Sequence, residues 1–221
     1  MGAMHAGSST DRRLQSDTLK KAHWVMRVDS EERILPILNT TAITSYPERY
    51  EINTTTKGGM NIFIRPIKPE DGRLVVDLFR SLSRQSLWFR FLSTVKELSP
   101  EMMLRLTQID HEQNAGLVAL ESTKQGEGKL LGICHVFRQS CPRWAEFSVV
   151  VGDPWQGKGV GARFLECCVG IAKERGIESL SGLVTAQNTN MLALAAKFGA
   201  TIRRIPESNE YEVRIDVRAL H

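Results

Sequence analysis

Apolar residues recur along this chain with two different periods, and the change from one to the other marks its elements. Ile62, Ile64 and Ile67 predict a strand starting near Met60, after which Pro69-Glu70-Asp71 supplies the fixed backbone angle and negative charge of a helix start. Leu74, Val75, Leu78, Phe79 and Leu82 follow at the spacing of one buried helix face. The run from Leu87 to Leu92 is apolar and aromatic and reads as core; Ser99-Pro100-Glu101 opens a further helix through Met103, Leu104 and Leu106. Two strand-like runs, Gly116 to Ser122 and Leu130 to Phe137, flank Lys124 to Gly128, whose glycines suit a hairpin loop. Trp144 to Val151 predicts a third antiparallel strand.

The pattern then shifts. A glycine-rich loop leads into a helix predicted from about Val160 to Arg175 and stopped by Gly176. A strand from Leu180 to Thr185 and a helix from Asn188 to Phe198, stopped by Gly199, come next. At the end Tyr211, Val213, Ile215 and Val217 alternate with Glu212, Arg214 and Asp216, as a half-buried strand should. An antiparallel meander followed by β-α-β-α-β gives a mixed α/β (α+β) sheet flanked by helices, with 60–221 as the folded domain. Residues 1–59 are expected to be an extension: Met1 to Thr10 reads as a cloning remnant, and Thr54 to Gly59 as a turn or linker.

Composition narrows the class. The chain has 221 residues, 42% of them hydrophobic and 24% charged, and no apolar run approaches the roughly 20 residues of a membrane span, so a soluble protein is expected, and four cysteines without paired spacing suit a reduced, cytoplasmic one. The formal charge of +4 is spread along the chain without a basic block interleaved with aromatics, which argues against nucleic acid as a partner. Cys134, Cys141, Cys167 and Cys168 lack paired C-x-x-C spacing and no H-E-x-x-H occurs, so no metal site is expected; Cys167 and Cys168 read as packing residues of a helix.

The most informative stretch is Val149-Val150-Val151-Gly152-Asp153-Pro154-Trp155-Gln156-Gly157-Lys158-Gly159-Val160-Gly161. Glycines inside a helix would each weaken it by roughly 1 kcal/mol relative to alanine, so their clustering at a helix start needs another reason. Glycines let main chain approach a phosphate closely, and the first N–H groups of the helix point at the anion. A dinucleotide fold would need G-x-G-x-x-G after a first strand, whereas this loop is late and reads G-x-G-x-G. Gly152 to Lys158 satisfies G-x-x-x-x-G-K, but Gly159 follows where a nucleotide-binding loop needs a hydroxyl for magnesium.

Gln156-Gly157-Lys158-Gly159-Val160-Gly161 resembles the Q/R-x-x-G-x-G/A loop of the GNAT superfamily of N-acetyltransferases, and the order of elements from Met60 agrees with that fold. The resemblance implies acetyl-CoA as co-substrate, its pyrophosphate on this loop. It also implies splayed central strands, with pantetheine held by the main chain of Ser148, Val149, Val150 and Val151. Asn188 matches a family position that bonds the pantetheine arm, although an N-cap role is equally open to it; Lys197 matches a basic position near the cofactor or serves only the helix dipole.

Acetyl transfer to an amine needs a base, because a lysine amine of pKa about 10.4 is mostly protonated near neutrality. Glu146 is the candidate: strand alternation puts Glu146, Ser148 and Val150 on one face, and desolvation there would raise its pKa. A solvated strand end, or pairing with Arg143, is the open alternative. Main-chain N–H near Val149 to Val151 would face the oxyanion. Glu146 matches the catalytic glutamate of bacterial Pat-type protein lysine acetyltransferases. Tyr46-Pro47, Gly58-Gly59, Ile64 to Asp71, Arg80 to Ser83, Phe89-Arg90-Phe91 and Ala145-Glu146-Phe147 also resemble that group. The implied acceptor is a protein lysine, typically on an acyl-CoA synthetase, with the domain often joined to a synthetase-like region. Where many family members carry a tyrosine acid this chain has Ala195. A small-amine acetyltransferase and a catalytically silent acyl-CoA sensor remain as alternatives.

Overall fold

The computed structural model describes residues 46–123 and 126–220, all within the unit Ala42–His221. The expected remnant and most of the expected extension lie outside the described residues. An eight-stranded sheet has the order β1-β2-β3-β4-β5-β6-β8-β7. Its strands are β1 Ile52–Thr55, β2 Asn61–Pro66, β3 Ala115–Thr123, β4 Gly126–Arg138, β5 Trp144–Val151, β6 Ser179–Thr185, β7 Thr201–Arg204 and β8 Glu210–Asp216. The helices are α1 Gly72–Ser81, α2 Arg84–Phe91, α3 Pro100–Thr107, α4 Val160–Glu174 and α5 Thr189–Lys197. Strand pairings among the described residues are antiparallel except β5 with β6.

The sheet starts before the expected boundary at Met60: β1 pairs with β2 through Ile52↔Ile64 to Thr55↔Asn61, and Thr56 to Gly59 form the turn between them. The aromatic run near Trp88 is helical rather than merely apolar core, because Ser83 Oγ accepts from the Ser86 N–H and caps α2. Ser99 caps α3 in the same way, through the Met102 N–H at 3.2 Å.

Each face of the sheet has its own core. Phe164, Leu165, Cys168, Val169 and Ala172 of α4 pack on Leu131, Cys134, Val136, Ala145 and Phe147. The opposite face carries Val118, Leu120, Ile133 and Val150 under Val75, Leu78 and Phe79 of α1, Phe91 of α2 and Leu106 of α3. A buried Leu, Ile or Phe stabilises by about 1.5–3 kcal/mol, so the two layers fix β5 from both sides. Cys168 lies 3.9 Å from Cys134, sulfur to sulfur, and burial pushes the Cys167 thiol up to about 12, which suits packing rather than reactivity.

One buried ion pair pins the start of the domain. Arg65 donates from both terminal nitrogens to the two Asp71 oxygens at 2.8 Å, and Asp71 also accepts from the Lys68 N–H at 2.8 Å. Removing one partner strands the other charge in the core, so Asp71→Ala should cost about 3–5 kcal/mol of folding stability in a urea titration.

Candidate functional site

β5 and β6 run together for three positions and then part. Trp144, Ala145 and Glu146 face Ser179, Leu180 and Ser181; from Phe147 onward β5 stays on β4 while β6 stays on β8. A parallel ladder interrupted in mid-strand leaves main-chain donors and acceptors of β5 from Phe147 to Val151 without partners on β6. The predicted pantetheine contacts Ser148, Val149, Val150 and Val151 all lie along this open stretch. Gly182 sits where the wedge closes: a Cβ there would stand 3.2 Å from the Phe147 carbonyl oxygen and 3.3 Å from its ring. A larger residue at 182 would fill the floor of the wedge.

The glycine loop stands at the far end of β5. A 3₁₀ turn over Asp153–Trp155 leads to Gln156, and Gly157 and Gly159 both take positive φ, 72° and 95°. Gly159 is the N-cap of α4 and contributes no side-chain cap, so the first N–H groups of a fifteen-residue helix are left to a ligand. Val160 is fully buried, which seats the helix start in the core. The β1–β2 turn closes over the loop: a Cβ on Gly159 would lie 3.2 Å from Thr56 Cβ, and one on Gly58 would lie 3.4 Å from the Lys158 carbonyl oxygen. These features fit a diphosphate: closely approachable main chain, uncapped donors and a helix dipole.

The side chains of the loop divide the work. Gln156 turns inward, donating from Nε2 to Ser86 Oγ and the Val151 carbonyl at 3.1 Å each. Asp153 accepts from the Ser83 N–H at 2.6 Å and from the Ser86 hydroxyl at 2.5 Å, ties that hold its carboxyl below the usual range against a burial that pushes it up. α2 is thereby fastened to the loop. Lys158 reaches back over the Trp155 ring, 4.9 Å from its centre.

Glu146 occupies the last paired position before the strands part. The residue is half-buried, yet its Oε2 is enclosed and has no hydrogen-bond partner among the described residues. Burial pushes its carboxyl up to about 7, against the pull of the Arg90 guanidinium, which burial itself brings down to about 10. His135 and Phe137 lie opposite Ser148 and Glu146 on β4. The His135 ring stacks on Phe137 at 5.3 Å, and its Nε2 stands 3.0 Å from the Leu106 carbonyl, an acceptor only, so Nε2 carries the hydrogen. Burial first, then Arg90, pushes His135 down to about 3, which keeps it neutral. Arg143, the alternative partner of Glu146, instead faces Glu178 at 3.6 Å.

Asn188 Oδ1 accepts from the Met191 N–H at 3.1 Å and caps α5, leaving its Nδ2 to donate elsewhere. Lys197 is exposed in the last turn of α5, nine residues on and about 13 Å along the axis, a position that suits the helix dipole and leaves its amine free to meet a cofactor. Ala195 is fully buried and offers no acid. Among the described residues no group of acidic, His and Cys side chains could hold a metal, and no helix is long and apolar enough to cross a membrane. Arg90 and the Ser83-Ser86-Asp153 knot were not foreseen as site residues.

A family model described as acetyltransferase (GNAT) family matches residues 82–200. An acetyltransferase of Pseudomonas aeruginosa is 28% identical over 151 residues, 68% of this chain and 81% of that protein. The crystal structure of the GNAT domain of S. lividans PAT superposes with a TM-score of 0.71 at 26% identity, covering 78% of this chain and 99% of that one. A cAMP-binding acyltransferase from Mycobacterium smegmatis shares the fold, with a TM-score of 0.53 at 20% identity; the match covers 76% of this chain and 47% of that longer one.

Proposed function

We propose, on the premise that this chain belongs to the GNAT family of acetyltransferases, that it acetylates the side-chain amine of a protein lysine with Glu146 as the base. Members of the family use acetyl-CoA as co-substrate and move its acetyl group to an amine. The observation that carries the finer reading is the enclosed, unpartnered Glu146 Oε2 at the point where β5 and β6 part.

Acetyl-CoA supplies the activated thioester. The helix mouth at Gly159 to Gly161 holds its diphosphate, and the open edge of β5 from Ser148 to Val151 lines the pantetheine arm and directs N–H groups at the oxygen that gains charge. Asn188 donates from Nδ2 to that arm. Glu146, ionised above about pH 7, takes the proton that the ammonium must lose. The motif resemblance supports a protein acceptor, of the kind presented by an acyl-CoA synthetase, and Trp88, 45% exposed, adds an aromatic on the outer face of the helix whose inner face buries Arg90. An exposed aromatic on this helix suits a polypeptide surface.

Release of free CoA, followed with acetyl-CoA and a panel of lysine-bearing proteins and small amines, tests the reading; turnover with small amines alone would replace the protein acceptor. The sign of the pH dependence follows from Glu146. As a base it works deprotonated, so kcat should rise about tenfold per unit below pH 7 and level off above it. A flat profile from pH 5.5 to 8 would remove Glu146 from the proton transfer.

A further inference from the structure

Two buried polar atoms without hydrogen-bond partners lie two residues apart on β5: Glu146 Oε2 and Ser148 Oγ. Alternation places both side chains on the face that also carries Val150, beneath α2 and α3. A buried hydroxyl left unpaired costs about 1–3 kcal/mol, and a paired one normally finds protein or water. Two such groups side by side, one accepting only and the other able to donate or accept, make a polar pair that one water can bridge.

Distance gives that bridge a task. On the reading above, the thioester oxygen lies against the main chain of Val149 to Val151. Val150 is four residues from Glu146, about 13 Å along an extended strand, and Ser148 stands midway. A glutamate side chain spans only part of that interval. The amine proton must therefore cross the position of Ser148 to reach the carboxylate. His135 faces Ser148 across the sheet but is neutral, its Nε2–H given to Leu106, so it is a poor proton carrier there.

We infer that the Ser148 hydroxyl is a positioning residue for proton transfer: it holds, with Glu146, a bridging water through which the amine proton reaches the carboxylate. The step balances. The amine nitrogen bonds to the thioester carbonyl carbon, the carbon–sulfur bond breaks, and the CoA thiolate leaves with its electron pair. One proton of the original ammonium passes to the water as that water gives one of its own to Glu146, which later returns it to solvent; a second neutralises the thiolate. The inference rests on the assignment of Glu146 as base, and its test separates the two.

Acetylation of poly-L-lysine by acetyl-CoA provides the kinetic readout, and carbon-13 NMR of the labelled Glu146 carboxyl provides one that needs no turnover. Ser148→Ala should lower kcat about ten- to a hundredfold with the KM for acetyl-CoA unchanged. It should also raise the Glu146 pKa by about 0.5–1 unit, because the ionised carboxylate loses an anchored donor. Ser148→Thr, which keeps the hydroxyl, should restore both. If Ser148 were only an unpaired core group, Ser148→Ala would be more stable, with kcat within twofold and the Glu146 titration unmoved; that result overturns the inference. Full activity of Glu146→Gln would instead remove the base assignment itself.

Discussion

Glu146→Gln should lower kcat by about 10²–10⁴-fold while leaving the affinity for acetyl-CoA as it was, since the amide cannot accept the proton and the proposed cofactor contacts lie further along β5. The same substitution should stabilise the fold above pH 7. Burial raises the Glu146 carboxyl from 4.5 to about 7, so the folded state holds this proton more tightly than the unfolded chain does. The contribution to stability is complete below about pH 4.5, and it is lost as pH rises through about 7. Glutamine stays neutral at every pH, so at pH 8 the variant should be more stable by about 3 kcal/mol, and indistinguishable from the parent at pH 4. Thermal melts at the two pH values, set beside kcat, check both halves. A gain in stability with loss of turnover is the mark of a group kept strained for its chemistry. Residual activity above a tenth of the parent would put the base elsewhere.

The features that carry this prediction differ in how plainly they stand in the sequence. β5 is legible to the residue because it is a largely apolar run, with no exposed position, bounded by Pro142 and Gly152. The Ser99 cap is legible from local chemistry alone. β1 and β7 are not, because these edge strands are largely exposed and show no alternation of apolar residues for a period to reveal. α2 escapes for the opposite reason: its aromatic run is too continuously apolar to display one face, and its cap at Ser83 has no acidic residue after it. In the site, the glycine loop and Glu146 are visible because their chemistry is local. The knot around Asp153 depends on contacts across up to 70 residues of chain and Arg90 on a similarly distant strand, and nothing local at Ser83 or Ser86 distinguishes them from ordinary helix-cap serines.

Gly159→Glu should abolish detectable binding of acetyl-CoA in calorimetry while the sheet and helices survive in circular dichroism. Three effects act together. The backbone at 159 takes φ 95°, which costs a side-chain-bearing residue about 1–2 kcal/mol, and a Cβ would meet Thr56 Cβ at 3.2 Å and the Lys57 nitrogen at 3.4 Å. Those effects alone push the β1–β2 turn away from the loop, and Gly159→Ala isolates them: it should remain folded and bind more weakly, but measurably. The carboxylate adds a different penalty. Placed at the N-cap of α4, it can accept from the uncapped N–H groups proposed to hold the diphosphate, and its charge repels what they would otherwise attract. An intramolecular anion at that position competes at a high effective concentration, so raising acetyl-CoA should not recover binding. Raising salt screens the repulsion but leaves the hydrogen-bond competition, so high ionic strength should restore little. If Gly159→Glu bound acetyl-CoA with unchanged affinity, the diphosphate would have to lie away from this helix mouth, and the alignment of thioester, Ser148 and Glu146 along β5 would fall with it.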